Sequence, residues 1–201
     1  MKKISEKTNA IRILEQRKIK FNIYNYSNTG AISGAQVAEV LKEDPKTVFK
    51  TLVTVGKSGN HYVFLVPVLL ELDLKKCAAV VDEKNIEMVK SKELLQLTGY
   101  IHGGCSPIGM KKFFKTVIDK SAVNCDKIIF SGGKIGYQIE TNLEELKKVI
   151  DFELNDIVKW LLLLGKGVVG NVWYYKASYG SVFEEIFKKK RFRQNNYKWY
   201  N

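Results

Sequence analysis

The spacing of apolar residues divides the first 158 residues into short helices and strands. Ile11 and Leu14 share a helical face behind Thr8, a residue type that caps helices, so a helix is predicted from residue 8 or 9 to about 17. Gly99 is predicted to end another helix in a left-handed conformation. Further helix starts are predicted at residues of the capping type, namely Ser33, Asp73, Ser91 and Asn142.

Alternation of apolar and polar residues predicts six strands, over residues 21–26, 48–55, 61–68, 113–118, 127–131 and 137–140. The turn residues 56–60 and 132–134 predict two hairpins, whose strands must pair antiparallel. Strands and helices do not alternate regularly, which excludes a doubly wound fold. The pattern therefore predicts an α+β fold with a mixed, barrel-like and partly closed β-sheet flanked by helices.

The last part of the chain has a different pattern. From about residue 160, glycines interrupt apolar clusters and an aromatic, lysine-rich run extends to Asn201. We expect a domain over residues 1–158 and an atypical C-terminal extension over residues 159–201. The aromatic and lysine side chains of this extension could contact RNA, and a disordered tail is an equal alternative.

Composition narrows the class of protein. The 201 residues carry a formal charge of +12, which favours a polyanionic partner, although lysines spread over solvated faces would give the same value. Three cysteines, without a C-x-x-C pair, predict a reducing cytoplasmic compartment. No apolar stretch is long enough for a membrane span. No cluster of histidines and carboxylates has metal-ligand spacing, so neither a metal nor a cofactor is expected.

Lys50 is the first candidate for a functional-site residue. In the strand 48–55, alternation places it on the same face as Val48 and Leu52. A lysine between apolar neighbours is tolerated where it lines a cleft and meets an anion. The alternative is an edge strand, where lysine prevents aggregation.

Two glycine-rich segments are the next candidates. Residues 99–109 could bring backbone amides close to an oxyanion or a phosphate, but they match neither a Walker loop nor a dinucleotide fingerprint. The segment 131–136 needs its glycines for a hairpin turn in any case. Within the first segment His102 precedes Cys105 by three residues, which leaves open a Cys105 nucleophile that acts on small esters or thioesters.

Read together, three segments resemble the signature of the YbaK/EbsC family of aminoacyl-tRNA deacylases: residues 48–52, 99–112 and 131–140. Residues 10–26 and 72–76 are similar to that family too, so the resemblance covers roughly three quarters of the chain. The family resembles the editing domain of bacterial prolyl-tRNA synthetase. The resemblance implies a barrel-like mixed sheet and release of cysteine from tRNA(Pro). It implies no metal, no cofactor and no protein nucleophile, because the cysteine thiol of the substrate attacks its own ester.

The resemblance also implies site residues. Lys50 would be catalytic and hold a phosphate or the ester oxygen, while Gly103 and Gly104 would present backbone to the scissile ester. An aspartate of the best-known branch is replaced here by Gln138, and an aromatic pocket residue falls near Ser33, which changes the polarity of the pocket. The substrate-binding residues would be Tyr26, Ser33, Thr51, Ser106, Ser131, Gly132, Gly133 and Gln138.

The sequence therefore predicts a trans-editing enzyme that binds the acceptor end of an aminoacyl-tRNA, tRNA(Pro) in the first place, alongside prolyl-tRNA synthetase. Two alternatives stay open. One is a deacylase of the same family that removes alanine or another small amino acid. The other is a non-catalytic module that binds tRNA or a synthetase.

Overall fold

The computed structural model describes residues 7–31 and 34–159. Its helices are α1 (Asn9–Gln16), α2 (Gly34–Leu41), α3 (Leu74–Val80), α4 (Ser91–Thr98) and α5 (Leu143–Lys147), with a 3-10 turn at Lys120–Asn124.

Side chains at the helix starts confirm most of the predicted caps. The Thr8 hydroxyl accepts a hydrogen bond from the Ile11 amide, and Asp73 and Asn142 cap α3 and α5 in the same way. Gly99 ends α4 at a φ of 82°. The capping role predicted for Ser33 lies outside the described residues.

Within residues 7–31 and 34–159, ten strands form three sheets rather than one. A mixed five-stranded sheet has the order β5-β2-β3-β6-β9, and an antiparallel three-stranded sheet has the order β1-β8-β7, while β10 pairs with β4. The strands are β1 (Asn22–Asn25), β2 (Phe49–Gly56), β3 (His61–Pro67), β4 (Glu71–Leu72), β5 (Ile86–Met88), β6 (Lys115–Asp119), β7 (Ile128–Ser131), β8 (Tyr137–Thr141), β9 (Glu153–Asn155) and β10 (Val158–Lys159).

The α+β class and its mixed sheet are confirmed, as are the hairpins β2–β3 and β7–β8. Parallel pairing joins β3 to β6 and β6 to β9. The described strands do not close into a barrel. Instead, a single parallel bridge between Val48 and Ile129 connects the two larger sheets. The barrel-like closure is therefore partial, because the strands separate on either side of this bridge.

Strand β2 has apolar clusters on both faces. Phe49 and Val53 face the main core, which α1 covers with the fully buried Ile11 and Leu14. Burial of such side chains contributes about 2 kcal/mol each. The opposite side carries a smaller cluster, here called the α2 cluster, formed by Ala38, Val48, Ile129, Tyr24 and Val68. Because β2 lies between the clusters, its side chains alternate between two interiors.

Two further predictions concern the ends of the chain and the membrane. Residues 160–201 lie outside the described residues, so the predicted boundary between residues 158 and 159 stays a prediction. Within residues 7–31 and 34–159, no helix has the length and apolar character needed to span a bilayer.

Candidate active site

Lys50 lies on the side of β2 that faces the α2 cluster. It pairs with Val66 of β3, and its Nζ is 3.4 Å from the carbonyl oxygen of Val68, a member of that cluster. The side chain is part-buried. The alternation that grouped Lys50 with Val48 in the sequence therefore describes the strand correctly.

Polar side chains also form a row across the three-stranded sheet, on the side that faces the α2 cluster, as Lys50 does. Two residues beyond the bridge between Val48 and Ile129, the two strands reach Lys50 and Ser131. Ser131 pairs with Gln138, and Gln138 pairs with Tyr24. Because directly paired residues share a face of the sheet, Ser131, Gln138 and Tyr24 point to one side.

Gln138 carries an unsatisfied polar atom in this row. It is buried, and its Oε1 has no hydrogen-bond partner within the described part of the chain. An unsatisfied buried polar atom of this kind costs about 1–3 kcal/mol. Such an atom is what a ligand pocket leaves open for its ligand.

Burial sets the electrostatics of Lys50. Removal from water lowers the pKa of its ammonium below the ordinary value, and the charge of Glu71 opposes that shift. An ammonium has three N–H donors, and the long contact with Val68 uses one at most. The remaining donors can meet a phosphate or an ester oxygen.

The two glycine-rich segments pack against each other. A Cβ atom at Gly104 would lie 3.1 Å from the amide nitrogen of Ile135, and one at Gly133 would lie 2.9 Å from the Tyr100 ring. Gly103 and Gly133 also have φ values of 80° and 92°, which side-chain-bearing residues rarely adopt. Glycine is therefore required where the segment 99–109 meets the β7–β8 turn.

Hydrogen bonds hold these segments in place. The Tyr100 hydroxyl donates to the Ile108 carbonyl over 2.6 Å and closes the segment 99–109 on itself. Burial raises the pKa of Tyr100 to about 12, so its hydroxyl keeps its proton. The Thr8 hydroxyl donates to the Gly132 carbonyl over 2.5 Å, which fastens the β7–β8 turn to the start of α1. The glycine backbone is therefore fixed before any ligand binds.

The two predicted backbone groups differ in availability. The amide of Gly104 donates to the Ile101 carbonyl over 3.0 Å. The amide of Gly103 has no hydrogen-bond acceptor among the residues that the structure describes. The Gly103 amide is therefore available to a ligand, whereas Gly104 permits the close approach of the β7–β8 turn.

The other predicted pocket residues occupy different places. Tyr26 is buried directly after β1, and its amide donates to the Gly136 carbonyl over 2.8 Å. The Ser131 hydroxyl accepts from the Gly133 amide over 3.4 Å. Gly132 lies in the same turn, with its amide bonded to the Tyr137 carbonyl. Tyr26 and the turn thus border the polar row.

Thr51 and Ser106 lie away from that row. Alternation directs Thr51 to the main core, where its hydroxyl oxygen is buried with no hydrogen-bond partner in the described chain. Ser106 is fully buried and accepts from the Ile108 amide, which supports the fold of its own segment. Substrate contacts by Tyr26, Thr51 and Ser106 stay predictions, as do those of the other predicted site residues. Ser33 lies outside the described residues.

Cys105 has the environment of a structural cysteine. It is buried in the main core, and this burial raises the pKa of its thiol to about 12. No hydrogen bond joins it to His102 in the described structure. A reactive cysteine needs a stabilised thiolate, so these features weigh against Cys105 as a nucleophile.

No sequence pattern indicated the charged network that lies beside the polar row. Glu140 accepts hydrogen bonds from Asn22, from the Tyr24 hydroxyl and from Lys127, over 2.7, 2.6 and 2.6 Å. Lys127 also pairs with Glu43, which follows α2, over 2.9 Å. Burial by itself raises the pKa of Glu140, but the hydrogen bonds outweigh it and lower that pKa. The network fastens the end of α2 to the three-stranded sheet.

Within residues 7–31 and 34–159, no group of three or more histidine, cysteine, aspartate or glutamate side chains could hold a metal ion.

Comparison with known proteins adds four findings. A family profile described as the aminoacyl-tRNA editing domain matches residues 30–166. A protein of Enterococcus faecalis, provisionally named Cys-tRNA(Pro)/Cys-tRNA(Cys) deacylase EbsC, is 42% identical over 157 residues, which are 78% of this chain and 96% of that protein. A proline–tRNA ligase of Thermosipho africanus is 28% identical over 122 residues, which are 60% of this chain and 20% of the ligase. A crystal structure provisionally described as a trans-editing enzyme for prolyl tRNA synthetase has the same fold, with a TM-score of 0.67 at 23% identity over 77% of this chain and 99% of that one.

Proposed function

The chain belongs to the aminoacyl-tRNA editing domain family, and from this premise we propose that it is a trans-editing deacylase that removes cysteine from mischarged tRNA(Pro). The observation that carries the proposal is that Lys50 and the polar row of Ser131 and Gln138 face the same α2 cluster. Together these residues combine a part-buried ammonium with spare donors and a buried amide oxygen without a partner.

The row would bind the aminoacyl end of the tRNA through complementary groups. The Gln138 Oε1 is an acceptor and suits the α-ammonium of the amino acid. Lys50 donates to the ester oxygen or to the terminal phosphate, where negative charge develops in the transition state. The free amide of Gly103 provides a second donor to the ester.

The reaction needs no nucleophile from the protein. The thiol sulfur of the cysteinyl group attacks its own ester carbonyl, so that a C–S bond forms as the C–O bond to the ribose breaks. The thiol proton ends on the departing ribose oxygen, and the products are a thiolactone and the free tRNA. Attack within one bound substrate is favoured because no second reactant has to be captured. The raised thiol pKa of Cys105 agrees with this scheme.

The range of amino acids depends on two properties of the site. A small pocket excludes bulky side chains, but one methylene changes discrimination by only about 10- to 200-fold. Alanine has no thiol, so its ester would need water as the nucleophile and would be cleaved more slowly by this scheme. The neutral Gln138 would serve either substrate through its oxygen.

The proposal also implies a partner and a compartment. Mischarged tRNA(Pro) is a product of prolyl-tRNA synthetase, and two of the relatives are named for that enzyme or for editing of its product. We place the protein beside that synthetase in the cytoplasm, where the charged tRNA is available.

The deciding experiment follows loss of Cys-tRNA(Pro) with the wild-type protein, Lys50→Ala and Lys57→Ala. Lys57 is an exposed lysine in the β2–β3 turn and serves as the matched control. Rapid loss with wild type and Lys57→Ala, but not with Lys50→Ala, supports the proposal. Stability of Cys-, Ala- and Ser-charged tRNA(Pro) alike would refute it.

Two further outcomes distinguish the alternative functions, a non-catalytic binding module and a cysteine hydrolase. Binding of tRNA without turnover on any of these substrates would indicate a non-catalytic module. Loss of esterase activity in Cys105→Ala, with Lys50→Ala unaffected, would indicate the cysteine hydrolase.

A further inference from the structure

A groove of about 650 Å³ lies behind the glycine-rich segment. Pro107 and Gly109 form one end of it, and Arg17 at the end of α1 lines its side. The segments 112–116 and 147–153 form the remaining walls. The groove therefore begins where the segment that carries Gly103 ends, and none of the residues of the polar row lines it.

The charged residues that line the groove are mainly basic. Two of the lysines, Lys112 and Lys147, are exposed and have no ion-pair partner among the described residues. Lys115 pairs with Glu153 over 3.0 Å, but both side chains are largely exposed, so this pair competes weakly with a ligand. The charged lining residues are Arg17, Lys112, Lys115, Lys147 and Lys148 against Asp151 and Glu153.

Phe113 is the second unusual feature of the groove. Its side chain is fully exposed, although the sequence predicted it as the first residue of β6. The strand begins two residues later, at Lys115, and leaves the ring outside the sheet. An exposed aromatic ring can stack on a planar group. The unpaired lysines beside the ring can bind negative charges next to that group.

We propose that this groove binds the single-stranded end of the tRNA substrate, with phosphates on Lys112 and Lys147 and one unstacked base on Phe113. This inference rests on the proposed function and assigns it a second binding surface. A nucleotide strand supplies a planar ring and regularly spaced negative charges together. In an acidic protein segment the planar group is not part of every residue, so it would need an aromatic side chain at the matching position to cover Phe113.

The first test measures fluorescence anisotropy of uncharged tRNA(Pro) at several salt concentrations. Phe113→Ala is expected to weaken binding about tenfold, and Phe113→Trp to retain it. The Lys112→Ala/Lys147→Ala pair is expected to reduce the steepness of the plot of log affinity against log salt by about 1.4, because each phosphate contact on a single strand contributes about 0.7. Val123→Ala and Lys57→Ala are matched controls, because both residues are exposed outside the groove.

The second test compares two substrates. The groove variants should raise KM for Cys-tRNA(Pro) about tenfold with kcat unchanged, because a lost stacking contact acts on binding. They should cleave the cysteinyl ester of adenosine as wild type does, since that ester lacks the other nucleotides of the single-stranded end.

Unchanged affinity and salt slope in both groove variants would overturn the inference. Loss of binding to prolyl-tRNA synthetase, with tRNA affinity intact, would overturn it in favour of a protein-docking surface. If wild type cleaves neither substrate, the proposed function fails, while the anisotropy measurement still decides whether the groove binds RNA.

Discussion

Two lysines close to the bridge between the sheets have opposite environments. Lys127 directly precedes β7 and contacts Glu140 and Glu43, over 2.6 and 2.9 Å. Lys50 on β2 is more deeply buried, and a backbone carbonyl is the only hydrogen-bond acceptor of its Nζ among the described residues. The carboxylates raise the pKa of Lys127, whereas burial lowers the pKa of Lys50.

The difference separates a structural lysine from one available to a ligand. The donors of Lys127 are already used by the protein, so a ligand would have to displace two carboxylates. Lys50 has lost hydration without a full set of partners, which is unfavourable in the free protein and favourable once an anion arrives. An incomplete environment, rather than charge as such, marks the candidate catalytic lysine.

The largest expected effect comes from replacing each of these two lysines with alanine. Lys50→Ala should reduce kcat/KM on Cys-tRNA(Pro) by about 100-fold or more, with the free energy of unfolding nearly unchanged. Lys127→Ala should lower the free energy of unfolding by about 1 kcal/mol and keep most activity. Deacylation rates and urea denaturation measure both. Equal loss of activity in the two variants would remove the distinction.

A substitution of Glu140 tests the structural role of Lys127. Glu140→Gln should lower the free energy of unfolding by about 2 kcal/mol at pH 7, because Lys127 loses its nearest carboxylate. The pKa of Glu140 is lowered in the folded state, so its stabilisation is present above its ordinary pKa of 4.5 and is lost as pH falls through the folded value. Denaturation at pH 7 and below pH 4 should show a smaller acid loss in the variant. If the acid dependence of the variant is unchanged, other carboxylates cause the loss of stability at low pH.

A substitution of Gln138 tests whether the polar row contacts the substrate. Gln138→Leu removes the unpartnered oxygen at similar volume, so the free energy of unfolding should rise by about 1 kcal/mol. The same change should reduce kcat/KM on Cys-tRNA(Pro) about tenfold, through loss of an acceptor for the α-ammonium. Gln96→Leu on the exposed side of α4 is the control. A variant that is more stable and equally active would show that this oxygen has no substrate contact.

The smallest expected effect concerns pH. Because the pKa of Lys50 is lowered, deacylation should decline with rising pH before an ordinary lysine of pKa 10.5 would lose its proton. Glu71→Gln removes a charge that raises this pKa, so the alkaline limb of kcat/KM should move to lower pH. The pH profile of the two proteins provides the measurement. A limb that does not move would mean that another group controls it.

Local chemistry made much of the fold predictable. Thr8, Asp73, Asn142 and Gly99 fixed helix ends because their signals act within a few residues. The hairpin turns fixed two antiparallel pairs for the same reason. The parallel pairs of β6 and the short strands β4, β5, β9 and β10 depend on distant partners, and no local pattern predicted them.

The candidate site was also predictable where local patterns decide and not where distant contacts decide. Alternation placed Lys50 on a cluster face, and the resemblance supplied Ser131 and Gln138 before their pairing was visible. The contacts of Glu140 with Asn22 and Tyr24 span more than 100 positions and depend on the register of β1 against β8. The packing of Gly104 against the β7–β8 turn is equally non-local, so sequence predicted the two glycine segments but not their contact.

The position of Glu71 has a consequence for the working life of the enzyme. An uncharged amine held beside an activated acyl ester is itself a nucleophile, and its attack on the carbonyl would leave the amino acid attached to Lys50 through an amide. Glu71 raises the pKa that burial lowers and so increases the protonated fraction of that nitrogen. We expect the carboxylate to reduce inactivation of the protein by its own substrate. In Glu71→Gln, intact-mass measurement after many turnovers should reveal a fraction of chains heavier by one aminoacyl group.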